Sequence, residues 1–283
     1  MARLSVAAVQ LGDRPCAGFD DYAEHVRSLT EAAGPSALIV FPEYCTLPLL
    51  KPRPDVTRAE LRRRYDETFF GHTGRYLELF AGLARERGVH ILAGTHWSAQ
   101  GDGARNVAYF FGPDGRHRAF AKRRRTAAEE VMGMQIGNEA GLVAVRDVMV
   151  GILVCYECEF PELARSLADE GADVVLVPSL TLNERGFNRV QLCARARAVE
   201  NQVYVILSAN QTALDVPTEK PVRGVGRSGI FGPIDNRTRL VDGVVSQSTT
   251  DGDRVVCADL DLALLPLSRE TSEAPLRRHR AHP

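Results

Sequence analysis

The chain has 283 residues, of which 45% are hydrophobic and 25% charged, and its formal net charge is −1 at pH 7. This composition is ordinary for a globular protein with a sizeable core. A nearly neutral chain provides no general electrostatic field for nucleic acid or an anionic membrane surface, so we expect neither as a partner.

Hydrophobic periodicity along the chain alternates short apolar strands with amphipathic helices. The strands are predicted over 4–10, 37–41, 89–94, 106–111, 148–155, 174–178, 204–209 and 255–261, and the helices over 19–33, 74–87, 161–170 and 188–201. The Pro-containing run 51–54 interrupts regular structure near Glu43, and we expect it to form a loop over the site. Because no linker or repeat divides the pattern, a single α/β domain is predicted, and the pattern alone would allow a doubly wound open sheet.

The most informative residue is Cys155, which follows an apolar run that begins at Val148 and precedes a segment in which Pro161 starts a helix. A thiol at such a junction lies at the mouth of a sheet, near the partial positive charge of a helix N-terminus. Cys155 is therefore a candidate nucleophile. Cys158, three residues later, makes a Cys-x-x-Cys pair that is also compatible with a redox dithiol.

Two other predicted strands lead to charged residues. Phe41-Pro42-Glu43 ends an apolar strand in a carboxylate, and Lys122 follows the strand and turn that begin at Asn106. Cys155 lies 33 positions after Lys122. Taken singly, Glu43 and Lys122 are more typical of a solvated surface. Three such segments in this order are far less probable by chance than any one of them alone.

These segments, together with the Cys-Tyr-Glu-x-x-Phe-Pro-Glu run at Cys155, resemble the nitrilase superfamily of carbon–nitrogen hydrolases over roughly residues 4 to 270. The resemblance implies an α-β-β-α sandwich, with two mixed sheets flanked by helices, as one domain over residues 1–270. Residues 271–283 would form a C-terminal tail that is mobile or laid on another subunit. It also implies a homodimer or a higher even oligomer, formed near the helix predicted over 188–201.

The resemblance also assigns site residues. Glu43 would be the general base, Lys122 would stabilise charge and Cys155 would be the nucleophile, with a backbone N–H near Tyr156 helping to bind the oxyanion. Glu130 is favoured on spacing as a second glutamate that holds Lys122, and neighbouring Glu129 is the alternative.

The sequence departs from the family pattern at two places. The run Arg123-Arg124-Arg125-Thr126 follows the lysine where members carry His and Leu, and Glu157 stands where Asp is usual. Strand alternation would turn Lys122 and Arg124 to one face. Both departures concern the substrate more than the chemistry.

The predicted function is hydrolysis of a small linear carboxamide to an acid and ammonia through a thioester, without a metal or other cofactor. A nitrilase and an N-carbamoyl amino acid hydrolase share the same three residues, and the latter would need arginines such as Arg124 or Arg185 for its carboxylate. Alternatives from other classes are a thiol–disulfide protein that uses Cys155 and Cys158, and a pseudoenzyme that binds a small molecule.

Location and redox state can also be predicted. No stretch of about 18 apolar residues occurs, and no signal-peptide pattern precedes the first strand, so we expect a cytoplasmic protein. The six cysteines are scattered along the chain, which is unlike a disulfide framework, and should be reduced. The histidines show no metal-ligand spacing.

Overall fold

The computed structural model describes residues 3–50, 57–100, 103–214 and 222–280. The run 51–54, predicted as a loop, lies outside the described residues. The helices of the described part are α1 (Phe19–Ala32), α2 (Arg58–Tyr65), α3 (Gly71–Arg87), α4 (Ala127–Val131), α5 (Pro161–Asp169), α6 (Glu184–Asn201), α7 (Leu264–Thr271) and α8 (Leu276–Arg280). None of these helices is long and apolar enough to cross a membrane.

Fourteen strands occur in the same ranges. They are β1 (Arg3–Gln10), β2 (Leu38–Val40), β3 (His90–Gln100), β4 (Gly103–Phe111), β5 (His117–Ala121), β6 (Gly141–Val145), β7 (Val148–Ile152), β8 (Val174–Leu180), β9 (Tyr204–Asn210), β10 (Ala213–Leu214), β11 (Val222–Arg223), β12 (Gly229–Phe231), β13 (Val244–Gln247) and β14 (Arg254–Asp261).

The strands form two six-stranded mixed sheets and one small ribbon. The first sheet has the order β14-β1-β2-β3-β4-β5, and the second has the order β13-β12-β9-β8-β7-β6, while β10 pairs with β11. Each sheet has a parallel centre, formed by β1-β2-β3 in the first and by β7-β8-β9 in the second. The doubly wound single sheet that the pattern alone would allow is therefore wrong.

Alternation along β1 explains the layering. Val6 and Ala8 belong to the core between the sheets, whereas Ala7 and Val9 belong to a second core beneath α1 and α3. Successive side chains of a strand point to opposite faces, so an all-apolar strand requires cover on both sides. The second sheet is covered in the same way by α5 and α6, whose apolar residues join the central core. The predicted α-β-β-α sandwich is confirmed.

Two predicted features differ from the structure. The strand predicted over 148–155 ends at Ile152, and a 3₁₀ turn over Cys155–Glu159 separates Cys155 from α5. Cys155 therefore does not lie at the N-terminus of that helix.

The segment predicted as a C-terminal tail contains α8 in its described part. The backbone N–H of Arg277 there donates to Gln202 Oε1 at 2.9 Å.

Gly94 allows β3 to approach the segment that carries Glu43. Its φ is +70°, and a Cβ at this position would overlap the carbonyl oxygen of Pro42. The neighbouring Thr95 binds the same segment, because its Oγ1 accepts a hydrogen bond from the Tyr44 backbone N–H at 2.9 Å. The conformation of Glu43 thus depends on the absence of a side chain at residue 94.

We expect Gly94→Ala to lower the free energy of unfolding by about 2 kcal/mol or more, because left-handed strain and overlap with Pro42 add together. Urea denaturation measures this change. The control is Gly74→Ala in the exposed part of α3, where a Cβ meets nothing within 4 Å. That substitution should stabilise the protein by about 0.5–1 kcal/mol. Equal stability of the two variants would contradict the proposed close approach.

Candidate active site

Three of the side chains predicted from the sequence as functional come together between the two sheets. Glu43 lies three residues after β2, Lys122 directly follows β5, and Cys155 lies three residues after β7. The first two residues come from the first sheet and Cys155 from the second. All three side chains line one cavity of about 550 Å³.

A buried ammonium group is the centre of this site. Lys122 Nζ donates to Glu43 Oε1 at 2.8 Å and to both carboxylate oxygens of Glu129 at 3.0 Å. The three side chains are at most 8% exposed. Asn106 Nδ2 donates to Glu43 Oε1 at 2.8 Å and to Glu129 Oε1 at 2.9 Å, so it fixes the two carboxylates relative to each other. With every group ionised, the cluster carries one negative charge in excess.

This arrangement separates the pKa values of the two carboxyl groups. Burial raises the pKa of Glu43 above its ordinary range, and the Glu129 carboxylate adds to this effect, although Lys122 and the Leu180 N–H oppose it. Burial would also raise the pKa of Glu129, but Lys122 and hydrogen bonds from Thr126 and Asn106 outweigh burial and lower it. Glu129 is therefore the permanent counter-ion, and Glu43 is the carboxylate that accepts a proton more readily.

The pKa of Lys122 is raised. Burial by itself would lower it, but the Glu129 and Glu43 carboxylates outweigh burial. Lys122 therefore remains a cation at neutral pH and can stabilise negative charge that develops next to it.

The contact predicted for Glu130 is wrong, because Glu129 makes it. Glu130 points outward with 70% of its side chain exposed and lies 3.9 Å from an Arg125 nitrogen. Neighbouring residues of a helix point in different directions, so only one of the two glutamates can face Lys122. Thr126 and Glu129 form a capping box at the start of α4, with Glu129 Oε2 accepting from the Thr126 backbone N–H at 2.8 Å. The Thr-x-x-Glu pattern of 126–129 was the sequence signal for this choice.

Cys155 opens the 3₁₀ turn with a φ of +48°, which is uncommon for a residue with a side chain. Its thiol donates to the Leu180 carbonyl at 3.4 Å and accepts from Ser179 Oγ at 3.3 Å. Burial raises the pKa of this thiol, and the Glu43 carboxylate adds to the rise, whereas Lys122 opposes it. The resting thiol is therefore protonated at neutral pH, and its activation needs a base.

Leu180, to which the sequence assigned no catalytic role, connects the base and the thiol. Its backbone N–H donates to Glu43 Oε2 at 2.9 Å, and its carbonyl accepts from Cys155. No residue-type signal marks such a residue, because the contacts are made by backbone atoms. Asn106 was also missed as a site residue, although it starts a predicted strand.

Glu157 explains one departure from the family pattern. Its carboxylate accepts from the Val154 backbone N–H and from the Arg123 backbone N–H, both at 2.7 Å. It therefore joins the segment after Lys122 to the residue before Cys155.

The predicted alternation of Lys122 and Arg124 on one face is wrong, because β5 ends at Ala121 and Arg124 is exposed.

The remaining predicted residues fall in different places. Tyr156 lines the cavity, and its ring packs edge-on against Phe160 at 5.0 Å. Cys158 is buried away from the cavity, where its thiol donates to the Val190 carbonyl at 3.6 Å. Arg185 lines the cavity, whereas Arg124 does not. Within the described ranges, no group of three or more His, Cys, Asp or Glu residues is arranged to hold a metal ion.

Comparison with known proteins gives the family to which this chain belongs. The sequence model of the carbon–nitrogen hydrolase family matches residues 5–269. The chain therefore belongs to the carbon–nitrogen hydrolase family. The crystal structure of Saccharomyces cerevisiae Nit3, a member of the nitrilase superfamily, shares its fold with a TM-score of 0.76 at 22% identity, over 99% of this chain and 97% of that one.

Three curated relatives illustrate the range of the family. The probable hydrolase YhcX of Bacillus subtilis is 31% identical over 94% of this chain, which spans 51% of that protein. The omega-amidase NIT2 of Xenopus tropicalis is 27% identical over 74% of each chain. A nitrilase of Pyrococcus abyssi is 29% identical over 93% of this chain and 91% of the relative.

The two neighbouring glutamates of α4 provide a matched test of the site geometry. We expect Glu129→Ala to lower the free energy of unfolding by about 2 kcal/mol or more, because it removes a helix cap and leaves buried donors unpaired. Glu130→Ala should stay within about 0.5 kcal/mol of the unsubstituted protein, as an exposed substitution. Urea denaturation compares them, and the reverse order would contradict the assignment of Glu129.

Proposed function

We propose that the protein is a cysteine-dependent hydrolase that cleaves a small linear carboxamide to an acid and ammonia through a thioester. The observation that carries this proposal is the cavity in which a protonated thiol, a carboxylate of raised pKa and a buried ammonium group meet. Family membership supports the hydrolase class, and the substrate type and the roles of individual residues are our proposal.

In the acylation step, Glu43 accepts the thiol proton as the Cys155 sulfur attacks the carbonyl carbon. The oxyanion of the tetrahedral intermediate is stabilised by the Lys122 ammonium and by the backbone N–H of Tyr156. Glu43 then donates its proton to the nitrogen. The C–N bond breaks, ammonia is released, and the acyl group remains on Cys155 as a thioester. Throughout this step, Glu129 stays ionised and holds Lys122.

In the second step, water attacks the thioester carbonyl and Glu43 accepts a proton from this water. The second tetrahedral intermediate is stabilised by the same two groups. When it collapses, the C–S bond breaks and the acid is released. Glu43 then returns the proton to the sulfur. Neither step requires a group outside the site.

A nitrilase or an N-carbamoyl amino acid hydrolase could use the same three residues. Of the two arginines considered for the carboxylate of a carbamoyl substrate, Arg185 alone lines the cavity. A panel of amides, nitriles and ureido acids, assayed for ammonia release, separates the three activities. Assembly as a homodimer or a higher even oligomer, and a cytoplasmic location, remain predictions from the sequence.

The two cysteines of the Cys-x-x-Cys pair separate hydrolysis from disulfide chemistry. We expect Cys155→Ser to abolish turnover and the acyl adduct detected by intact mass, because a serine hydroxyl is much harder to activate at this site. Cys158→Ser should retain most of the activity, because its side chain faces the core. A disulfide mechanism predicts instead that the two substitutions are equally damaging.

The pH profile tests the role of Glu43. As a base, Glu43 acts in its ionised form, so kcat/KM should be full above its pKa and fall as the pH drops through it. The acid limb should lie above the range of an ordinary glutamate, because the pKa of Glu43 is raised. In Glu129→Gln a neighbouring negative charge is lost, so the limb should move to lower pH while the rate falls. If the acid limb of kcat/KM stayed at the same pH in Glu129→Gln, a group other than Glu43 would control it.

A further inference from the structure

One wall of the active-site cavity is a small apolar cluster distinct from the two main cores. We call this surface the acyl wall and define it by five buried side chains that line the cavity: Leu47, Leu61, Tyr65, Trp97 and Leu214. Each is at most 9% exposed. A cavity of about 550 Å³ is of the size that takes a ligand much larger than an amide group alone.

The acyl wall is held in a fixed shape. Trp97 Nε1 donates to Asp66 Oδ1 at 2.8 Å, and Asp66 does not line the cavity. The Tyr65 ring packs edge-on against Trp97 with 5.3 Å between centroids, and the Arg62 guanidinium lies 5.3 Å from the Trp97 ring centre. Because the polar atom of the indole is satisfied elsewhere, the wall is prepared for apolar contact.

The acyl wall begins next to the reacting atoms. Leu180, whose backbone contacts both Glu43 and Cys155, packs against the same apolar cluster, and so does Tyr44. An acyl group attached to the Cys155 sulfur therefore has an apolar surface beside it. This continuity links the wall to the substrate of the reaction rather than to a separate ligand.

Charged lining residues outside the reacting centre come from the 3₁₀ turn and from α6, not from the segments that form the acyl wall. Among the described lining residues these are Glu159, Arg185 and Arg189, and Glu159 and Arg189 form an ion pair at 2.9 Å. Arg185 is exposed on α6. A substrate carboxylate would thus meet two arginines in contact with solvent, one of them already paired with Glu159, and exposed ion pairs contribute little. The acyl wall offers no cation.

We infer that the open-chain carboxamide proposed above is a primary amide with an apolar acyl group, aliphatic or aromatic, that is larger than that of acetamide, rather than an amide that also carries a carboxylate. This inference rests on the proposed function, since it concerns the acyl part of the same thioester. Each buried methylene contributes about 0.8 kcal/mol, so we expect kcat/KM to rise about fourfold per methylene when binding energy is expressed in the transition state.

The experiment compares kcat/KM for acetamide, hexanamide, 3-phenylpropanamide and anionic succinamate. We expect the two bulky apolar amides to exceed acetamide by at least ~10-fold and to exceed succinamate as well. Ammonia release from all amides at similar rates, or fastest from succinamate, would overturn the inference but leave the proposed function intact. Release from none of the amides would instead overturn the proposed function, and the inference with it.

Matched variants locate the selectivity on the acyl wall. Leu61→Ala should lower the hexanamide-to-acetamide ratio of kcat/KM by about 10-fold, since it removes buried contact area. The control is Leu83→Ala, which truncates a leucine of similar burial beneath the first sheet, away from the cavity, and should leave the ratio unchanged. Equal ratios in the two variants would overturn the assignment.

If Leu61→Ala does not fold, a milder truncation of the acyl wall gives the same test. Leu214 belongs to the acyl wall and is 9% exposed, whereas Leu83 does not line the cavity. Leu214→Val should lower the hexanamide-to-acetamide ratio about fourfold, because one methylene of buried contact is lost. Leu83→Val should not change the ratio, and an effect of the same size in both variants would contradict the inference.

Discussion

Burying the Lys122 ammonium group is the constraint on which the rest of the site depends. An isolated buried cation is unfavourable, so each donor of Lys122 must find an acceptor within the protein. Glu43 and Glu129 provide these acceptors from two segments that are far apart in the chain. Asn106 on β4 donates to both carboxylates and so fixes the distance between them. The position of Glu43 also requires β3 to approach closely at Gly94. The order β2-β3-β4-β5 is what brings these segments together.

The same constraint creates the chemistry. Two carboxylates around one ammonium leave an excess negative charge. The ionised form of Glu129 is stabilised more than that of Glu43, because Glu129 accepts more hydrogen bonds. Glu43 is therefore the member whose protonation costs least. The second sheet then brings Cys155 to this group through a turn at positive φ, a conformation that costs energy and persists only if its surroundings hold it. Glu157 and Leu180 supply the hydrogen bonds on either side of that turn.

The sequence was sufficient for some of this and not for the rest, for physical reasons. Periodicity finds strands such as β1 and β8 because burial fixes which residues are apolar. It cannot decide whether the strands form one sheet or two, and the sandwich was predicted only through the family resemblance. Cys155 was proposed from its place after a buried apolar run, whereas Glu43 and Lys122 received their roles from the family resemblance. Spacing alone chose Glu130, whereas the capping pattern that begins at Thr126 identifies Glu129. Leu180 acts through its backbone, which leaves no signature in residue type.

The charge balance of the site also bears on the alternative use of its two cysteines. A redox-active pair needs a thiol of lowered pKa, which usually comes from nearby positive charge or a helix N-terminus. Here burial raises the pKa values of both Cys155 and Cys158, and the excess charge beside Cys155 is negative. Cys158 also faces α6 rather than the cavity. The Cys155 thiol is protonated at rest and is hydrogen-bonded to the Leu180 backbone, which also binds the Glu43 carboxylate. This arrangement is suited to proton transfer during nucleophilic attack. These surroundings favour acyl transfer over disulfide exchange.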